Sequence, residues 1–296
     1  MPLETATEYD QISSDVYVSG NDVYVVGSLA PQGGAPAVVW KNGLLYAQYN
    51  STNPNGTGIG NSMVIENGDF YVLTGNQISG VSANNSRPSS LWKNGVETII
   101  LNPGYTNTYF VGSYLSVKGS NVCIAGFKNG LPALWVNGVV TTLSNLPGSK
   151  CTGIVILNNI VYVSGYILGS NGTYKAMRWS KNLTTGVLTS LNLTPFTQTG
   201  RAVAIAVDEQ NGIVYTLGSR TINSVSEAVL WSDTTPTVLS GATYIQDVAV
   251  FNGNVYVLGK SNSSGGDNVS LWINGVLNAN PFNQPQPRIL RYLALK

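Results

Sequence analysis

Two carboxylates, Asp15 and Asp247, stand at equivalent positions near the two ends of this 296-residue chain. Such a pair could serve as acid and base across a glycosidic bond. It could also hold a hard cation such as Ca²⁺ through oxygen ligands. The plainer reading, which the sequence favours, is two solvated carboxylates at a wet channel mouth. Only 14 acidic residues exist in the chain, and several of them fall in turns (Asp22, Asp69) or at a hairpin tip (Asp208, Glu209). No cofactor is expected. Ca²⁺ on Asp15 and Asp247 is the one candidate, and no metal site is assigned.

Other chemistry is narrowed by what the 296 residues contain. They include no histidine, which removes Ser-His-Asp and Cys-His nucleophilic mechanisms. It also removes most zinc sites, which two distant cysteines cannot supply. No glycine loop of the phosphate-binding type occurs. Lys plus Arg total 15 and Asp plus Glu 14, a net charge of +1. A near-neutral chain gives no electrostatic case for a nucleic-acid backbone or an anionic membrane. No apolar run approaches the ~18 residues of a membrane-spanning helix. The start, Met1-Pro2-Leu3-Glu4, lacks the basic and apolar regions of a signal peptide. Charged residues are only 10%, against roughly 25% in an average domain. The balance is Asn, Ser, Thr and Gly, which suits an extracellular or cell-surface protein. A monomer with a glycan or protein ligand is expected.

The elements that must carry these residues repeat. The six tryptophans, Trp40, Trp92, Trp135, Trp179, Trp231 and Trp272, are spaced by 52, 43, 44, 52 and 41 residues. Each ends an apolar run such as Ala37-Val38-Val39-Trp40 or Pro132-Ala133-Leu134-Trp135. In four copies Asn-Gly follows, at Asn42-Gly43, Asn94-Gly95, Asn137-Gly138 and Asn274-Gly275. That dipeptide supplies the two positive φ values of a type I′ hairpin. In copies four and five longer polar segments, Ser180-Lys181-Asn182 and Ser232-Asp233-Thr234, take its place. Upstream of each Trp lies a second strand that ends in glycine, as in Val23-Tyr24-Val25-Val26-Gly27 and Val161-Tyr162-Val163-Ser164-Gly165. In copy two this segment, Phe70 to Gly75, is one residue longer. β-branched and aromatic enrichment marks these as strands.

Each copy therefore reads strand A, turn, strand B ending in Gly, loop, strand C ending in Trp, turn, strand D. Four antiparallel strands in 40 to 50 residues form the blade of a propeller. The fold class is all-β, a six-bladed β-propeller and a single domain over 1–296. Its blades fall near 11–50, 57–102, 109–145, 150–193, 200–240 and 244–282. Segments 1–10 and 283–296 are the two candidates for closing the ring, and Arg288 to Leu295 reads as a short helix or a last strand. Strand C is apolar on both parities, as a strand covered on both faces should be, and Arg178 is its one exception. The tryptophans read as packing between blades. Cys123 and Cys151 read as two buried free thiols, with a disulfide left open.

Long, variable connections on a rigid scaffold are where binding concentrates. Here those are the B–C and D–A loops at one end of every blade. The residues on that end give the candidate ligand site: Asp15, Asn61, Tyr105, Tyr109, Tyr114, Arg201, Tyr244 and Asp247, with Arg87, Phe196 and Arg220 nearby.

The units from Val23-Tyr24-Val25-Val26-Gly27 to Trp40-Lys41-Asn42-Gly43, with their five relatives, resemble the propeller repeats of little-characterised bacterial secreted or surface proteins. The resemblance covers Ile12 to Phe282. It implies a propeller and no particular activity. Six-bladed propellers include sialidases, whose blades carry a Ser-x-Asp-x-Gly-x-Thr-Trp box, and no such box occurs here. The expectation is a non-catalytic binding or interaction module with its ligand on the long-loop face. The alternatives are a glycoside-active enzyme using the Asp15 and Asp247 carboxylates, and a structural module of a larger surface protein.

Overall fold

A computed structural model describes residues 11–29, 36–50, 57–77, 87–99, 110–195, 197–263 and 266–278. Among them every regular element is a strand. Six four-stranded antiparallel sheets follow one another in chain order. The first three are β1–β4 (Gln11–Ser19, Asp22–Leu29, Ala37–Lys41, Leu44–Tyr49), β5–β8 (Thr57–Glu66, Asp69–Gln77, Arg87–Lys93, Val96–Ile99) and β9–β12 (Phe110–Lys118, Asn121–Lys128, Leu131–Val136, Val139–Thr142). The second three are β13–β16 (Lys150–Leu157, Ile160–Leu168, Tyr174–Asn182, Leu188–Asn192), β17–β20 (Thr199–Asp208, Ile213–Ile222, Val225–Ser232, Thr235–Val238) and β21–β24 (Ala242–Phe251, Asn254–Ser263, Gly266–Ile273, Val276–Asn278). The chain divides into two compact units, Met1–Thr142 and Leu143–Leu295, with three sheets in each.

Within each unit, neighbouring sheets pack face to face through the repeated tryptophan. Trp92 joins Met63 and Val72 of its own sheet to Tyr24, Val39 and Tyr49 of the sheet before. Trp135 packs with Tyr71, Leu73 and Leu91 of the second sheet. In the second unit Trp231 meets Ala176 and Leu193, and Trp272 meets Leu217, Leu230 and Leu239. All six rings are at most 7% exposed. Full burial of a ring of that size is among the largest single contributions a side chain makes to a core. The third strand is buried on both parities: Ala37 to Trp40 in β3 and Pro132 to Trp135 in β11 are buried without a break. Arg178 is buried too. It stacks 5.7 Å from the Tyr162 ring, donates to the Val214 carbonyl at 3.2 Å, and lies 3.9 Å from Asp233. A charge on this face is tolerated because a ring, a carbonyl and a carboxylate replace its water.

The second strands run two to four residues beyond the glycine that was expected to end them, and that glycine answers to a close approach. A Cβ on Gly165 would fall 2.1 Å from the Lys150 carbonyl oxygen and 2.8 Å from the Trp179 ring. Gly218 and Gly259 meet Arg201 O with Trp231, and Tyr244 O with Trp272, in the same way. In the second sheet the register puts Thr74, and not Gly75, at this position, opposite Gly60. Thr74 then uses its Oγ1 to accept the Trp92 indole N–H at 3.1 Å.

The hairpin tips carry a repeated clasp. Asn42, Asn94, Asn137 and Asn274 all have positive φ. Each accepts through Oδ1 from the first amide of the second strand, that of Val23, Phe70, Val122 or Val255, at 2.8 to 2.9 Å. The fifth sheet does not have the longer segment expected there. Ser232 pairs with Thr235 across a two-residue turn, and Asp233 takes the clasp role toward the Val214 amide. Replacing Asn137 by alanine removes this bond and puts a Cβ-limited residue at φ 46°. The expected loss is roughly 1–2 kcal/mol. Asn137→Asp should keep most of it, because aspartate already serves in the fifth sheet. Denaturant midpoints of the two variants check this.

Both cysteines are buried thiols. The segment Arg288 to Leu295 and the ring-closing candidates 1–10 and 283–296 lie outside the described residues.

Candidate functional site

Every first strand contains a β-bulge at one shared position, just inside the end where the long loops enter. The register skips Ser14, Asn61, Ser113, Thr152, Val203 and Gln246. A bulge leaves one residue unpaired, bends the strand and re-aims the side chain beside it. The residues directly after the bulge are Asp15, Ser62, Tyr114, Gly153, Ala204 and Asp247. Asp15 opposes Val26 and Asp247 opposes Leu258, each one residue before the closing glycine. The two carboxylates are therefore equivalent in register.

Asp15 is not the solvated carboxylate that composition favoured. Ser62 of the next sheet donates its hydroxyl to Oδ2 at 2.8 Å, and the Met63 amide reaches the same oxygen at 3.3 Å. The Val16 amide donates to Oδ1 at 2.9 Å. The residue keeps some exposed surface, but its carboxyl is enclosed by protein. Burial of the charge is the larger effect and pushes the pKa up to about 6, against the downward pull of Ser62, Met63 and Val16. A carboxyl at that value exchanges a proton near neutrality. The same donors argue against Asp15 as a Ca²⁺ ligand, since both oxygens already face N–H or O–H groups. Among the described residues no group of three or more His, Cys, Asp and Glu gathers to hold a metal ion.

The other sequence candidates divide by role. Asn61 donates to the Gly112 carbonyl at 2.9 Å, and so ties the second sheet to the third. Tyr114 is half-buried in β9. These two, with Asp15 and Ser62, lie on successive first strands of the first unit. Ser62 continues the chain of contacts by accepting from the Leu115 amide at 3.4 Å. In the second unit Asp247 is half-buried and accepts its neighbour's amide, that of Val248, at 2.9 Å. Tyr244 is 52% exposed and donates its hydroxyl to Gln246 at 2.6 Å. Arg201 lies over Tyr174 and Tyr166. Tyr105, Tyr109, Phe196 and the Arg87 side chain lie outside the described residues. Arg220 is taken up by Glu227 at 2.9 Å. Sequence reasoning missed the Ser62 and Met63 donors around Asp15, and it missed the tyrosine pair beneath Arg201. The one signal available for the tyrosines was their position on either side of a B–C loop.

No family model matches the chain, and no curated protein matches it. Solved structures do. A Trypanosoma rangeli sialidase is similar over 90% of this chain and 54% of its own, at 10% identity and TM-score 0.51. A Mycobacterium tuberculosis puromycin-hydrolyzing peptidase is similar over 88% of this chain and 45% of its own, at 9% identity and TM-score 0.56. The chain spans about half the length of these structures. The fold is a six-bladed β-propeller. The likeness also overturns one expectation from the sequence, that of a non-catalytic module that is not an enzyme. The solved proteins that share this architecture are hydrolytic enzymes by name, and the enclosed Asp15 carboxyl is unlike the solvated group on which that expectation leaned.

Proposed function

We propose that the chain is a glycoside hydrolase in which Asp15 is the proton-carrying carboxylate. The observation that carries this reading is the enclosed Asp15 carboxyl, with its pKa pushed up to about 6. Cleavage of a glycosidic bond needs an acid to protonate the leaving oxygen and a second carboxylate as base or nucleophile. Burial is the usual way a carboxyl is made an acid near neutral pH. Asp15 takes the acid role. In this reading the protein acts outside the cell, as a monomer, on a glycan. The low charged fraction and the net charge of +1 support that setting. The likeness to a sialidase favours a glycan substrate. The likeness to a peptidase carries less weight, because these 296 residues hold no histidine for a Ser-His-Asp mechanism.

The test is hydrolysis of a broad panel of aryl glycosides and polysaccharides by the wild-type chain, Asp15→Asn and Asp247→Asn between pH 4 and 8. Cleavage by the wild type, with kcat/KM falling above about pH 6, is expected. No cleavage of any member, or full activity in Asp15→Asn, would overturn the reading.

A further inference from the structure

At the long-loop end of the second unit, one cation is held without a carboxylate. Arg201 enters near the start of β17. Tyr166 lies near the end of β14 and Tyr174 opens β15, on either side of the loop between them. The two rings meet edge to face, with centroids 5.3 Å apart at 89°. The Arg201 guanidinium lies 3.6 Å from the Tyr174 centroid and 5.1 Å from that of Tyr166. Contact at that distance covers a guanidinium face and leaves its N–H edge for a partner.

Several other cations of the chain have a carboxylate partner. Among the described residues Lys41 pairs with Asp22, Lys93 with Asp69, Arg178 with Asp233 and Arg220 with Glu227. Arg220 stands beside Arg201 on the paired strand, because Gly200 opposes Arg220 and Arg201 opposes Ser219. Arg220 therefore uses the acid of its own hairpin, and Arg201 has only rings. Lys150 is exposed opposite Tyr166 and adds positive potential. Lys175 is turned away to the Gln198 carbonyl. Arg201 is itself exposed. The arrangement is a fork of donors, fixed in plane by aromatic rings, open to solvent, and flanked by a second positive charge.

We propose that Arg201, posed on Tyr174 and Tyr166, binds the carboxylate of an acidic saccharide. The proposal rests on the glycan reading above and adds to it the charge class of the substrate. A planar guanidinium edge matches a planar carboxylate through two parallel N–H···O bonds. The rings remove much of the rotamer freedom that binding would otherwise have to freeze. The open part of each half-buried tyrosine suits the apolar face of a sugar ring.

The experiment uses the full chain carrying Asp15→Asn and an array of carboxylated glycans. Each glycan is set beside its carboxyl-reduced counterpart, and sulfated glycans form a separate arm. Carboxylated members should bind, and Arg201→Met should weaken them by roughly ten- to a hundredfold. Arg201→Lys should fall between, since it keeps the charge and loses the fork. A second readout needs no variant at Arg201: its side-chain Nε–H resonance should shift on addition of a binding carboxylated glycan and stay still with the reduced one. Equal binding of carboxylated and reduced glycans, unchanged affinity in Arg201→Met, or preference for the sulfated arm would overturn the proposal. Cleavage plays no part in these readouts. A chain that binds through Arg201 and cleaves nothing would end the hydrolase reading alone. A chain that cleaves only neutral glycosides would end this one.

Discussion

Asp15→Asn is expected to lose at least a hundredfold in kcat on any glycoside the wild type cleaves, a typical scale for removing a positioned acid. It should lose no stability at pH 7.5. The two halves of this result belong together. The wild-type carboxyl has its pKa raised from 3.8 to about 6. Between those values the folded chain binds more protons at Asp15 than the unfolded chain does. The contribution of Asp15 to stability is therefore most favourable below about pH 4. It declines as pH rises through 6, by roughly 3 kcal/mol in all. The neutral asparagine is free of that penalty. Its Oδ1 can accept from the Val16 amide and the Ser62 hydroxyl can turn to accept from its Nδ2, so that only the long Met63 contact, at 3.3 Å, is given up. The variant should therefore have a flatter stability profile between pH 4 and 7, read by urea unfolding across that range. A group that served only to tie two sheets would behave in the opposite way, with activity kept and stability lost.

Gly165→Ala should be among the most damaging small substitutions in the second unit. The added Cβ would meet the Lys150 carbonyl at 2.1 Å, and that is backbone held by the bulge in β13. Neither the carbonyl nor the Trp179 ring, 2.8 Å away and buried, can give way cheaply. Overpacking of this kind costs about 3 kcal/mol or more. Gly186→Ala, at a hairpin tip with open space around it, tests the specificity of the effect. Its φ of 74° should cost only about 1 kcal/mol. Thermal melts of the two variants side by side distinguish close approach from backbone conformation.

The architecture was readable because its signals are local and repeated. One tryptophan per copy, a glycine at a fixed distance before it and an Asn-Gly after it identify strand, register and turn together. Where the reading slipped, an equivalent residue had changed type. Thr74 stands in the register position of a glycine and uses its hydroxyl to accept the Trp92 indole N–H, and Asp233 replaces an asparagine because either side chain can accept the same amide. The bulges left no mark in composition. Five of the six residues, Ser14, Asn61, Ser113, Thr152 and Gln246, are uncharged and polar, but such residues are common throughout this chain, and Val203 shows that what the positions share is a backbone conformation.

The site was legible only as a position. Register equivalence placed Asp15 and Asp247 together in the reading, and the structure keeps them equivalent. The state of Asp15 was hidden because its environment comes from Ser62 and Met63, residues 47 and 48 positions away in sequence. Arg201 was visible as a charge on the right loop end. Its pose was not, since it depends on two tyrosines from the preceding sheet.

The account turns on whether Asp15 carries a proton near neutral pH. Its carboxyl carbon can be followed by ¹³C NMR in aspartate-labelled protein, with the signal assigned by comparison with Asp15→Asn. A titration midpoint near 6 is the predicted result. A midpoint near 4, the value of an ordinary solvated aspartate, would contradict the enclosed acid and the hydrolase reading built on it.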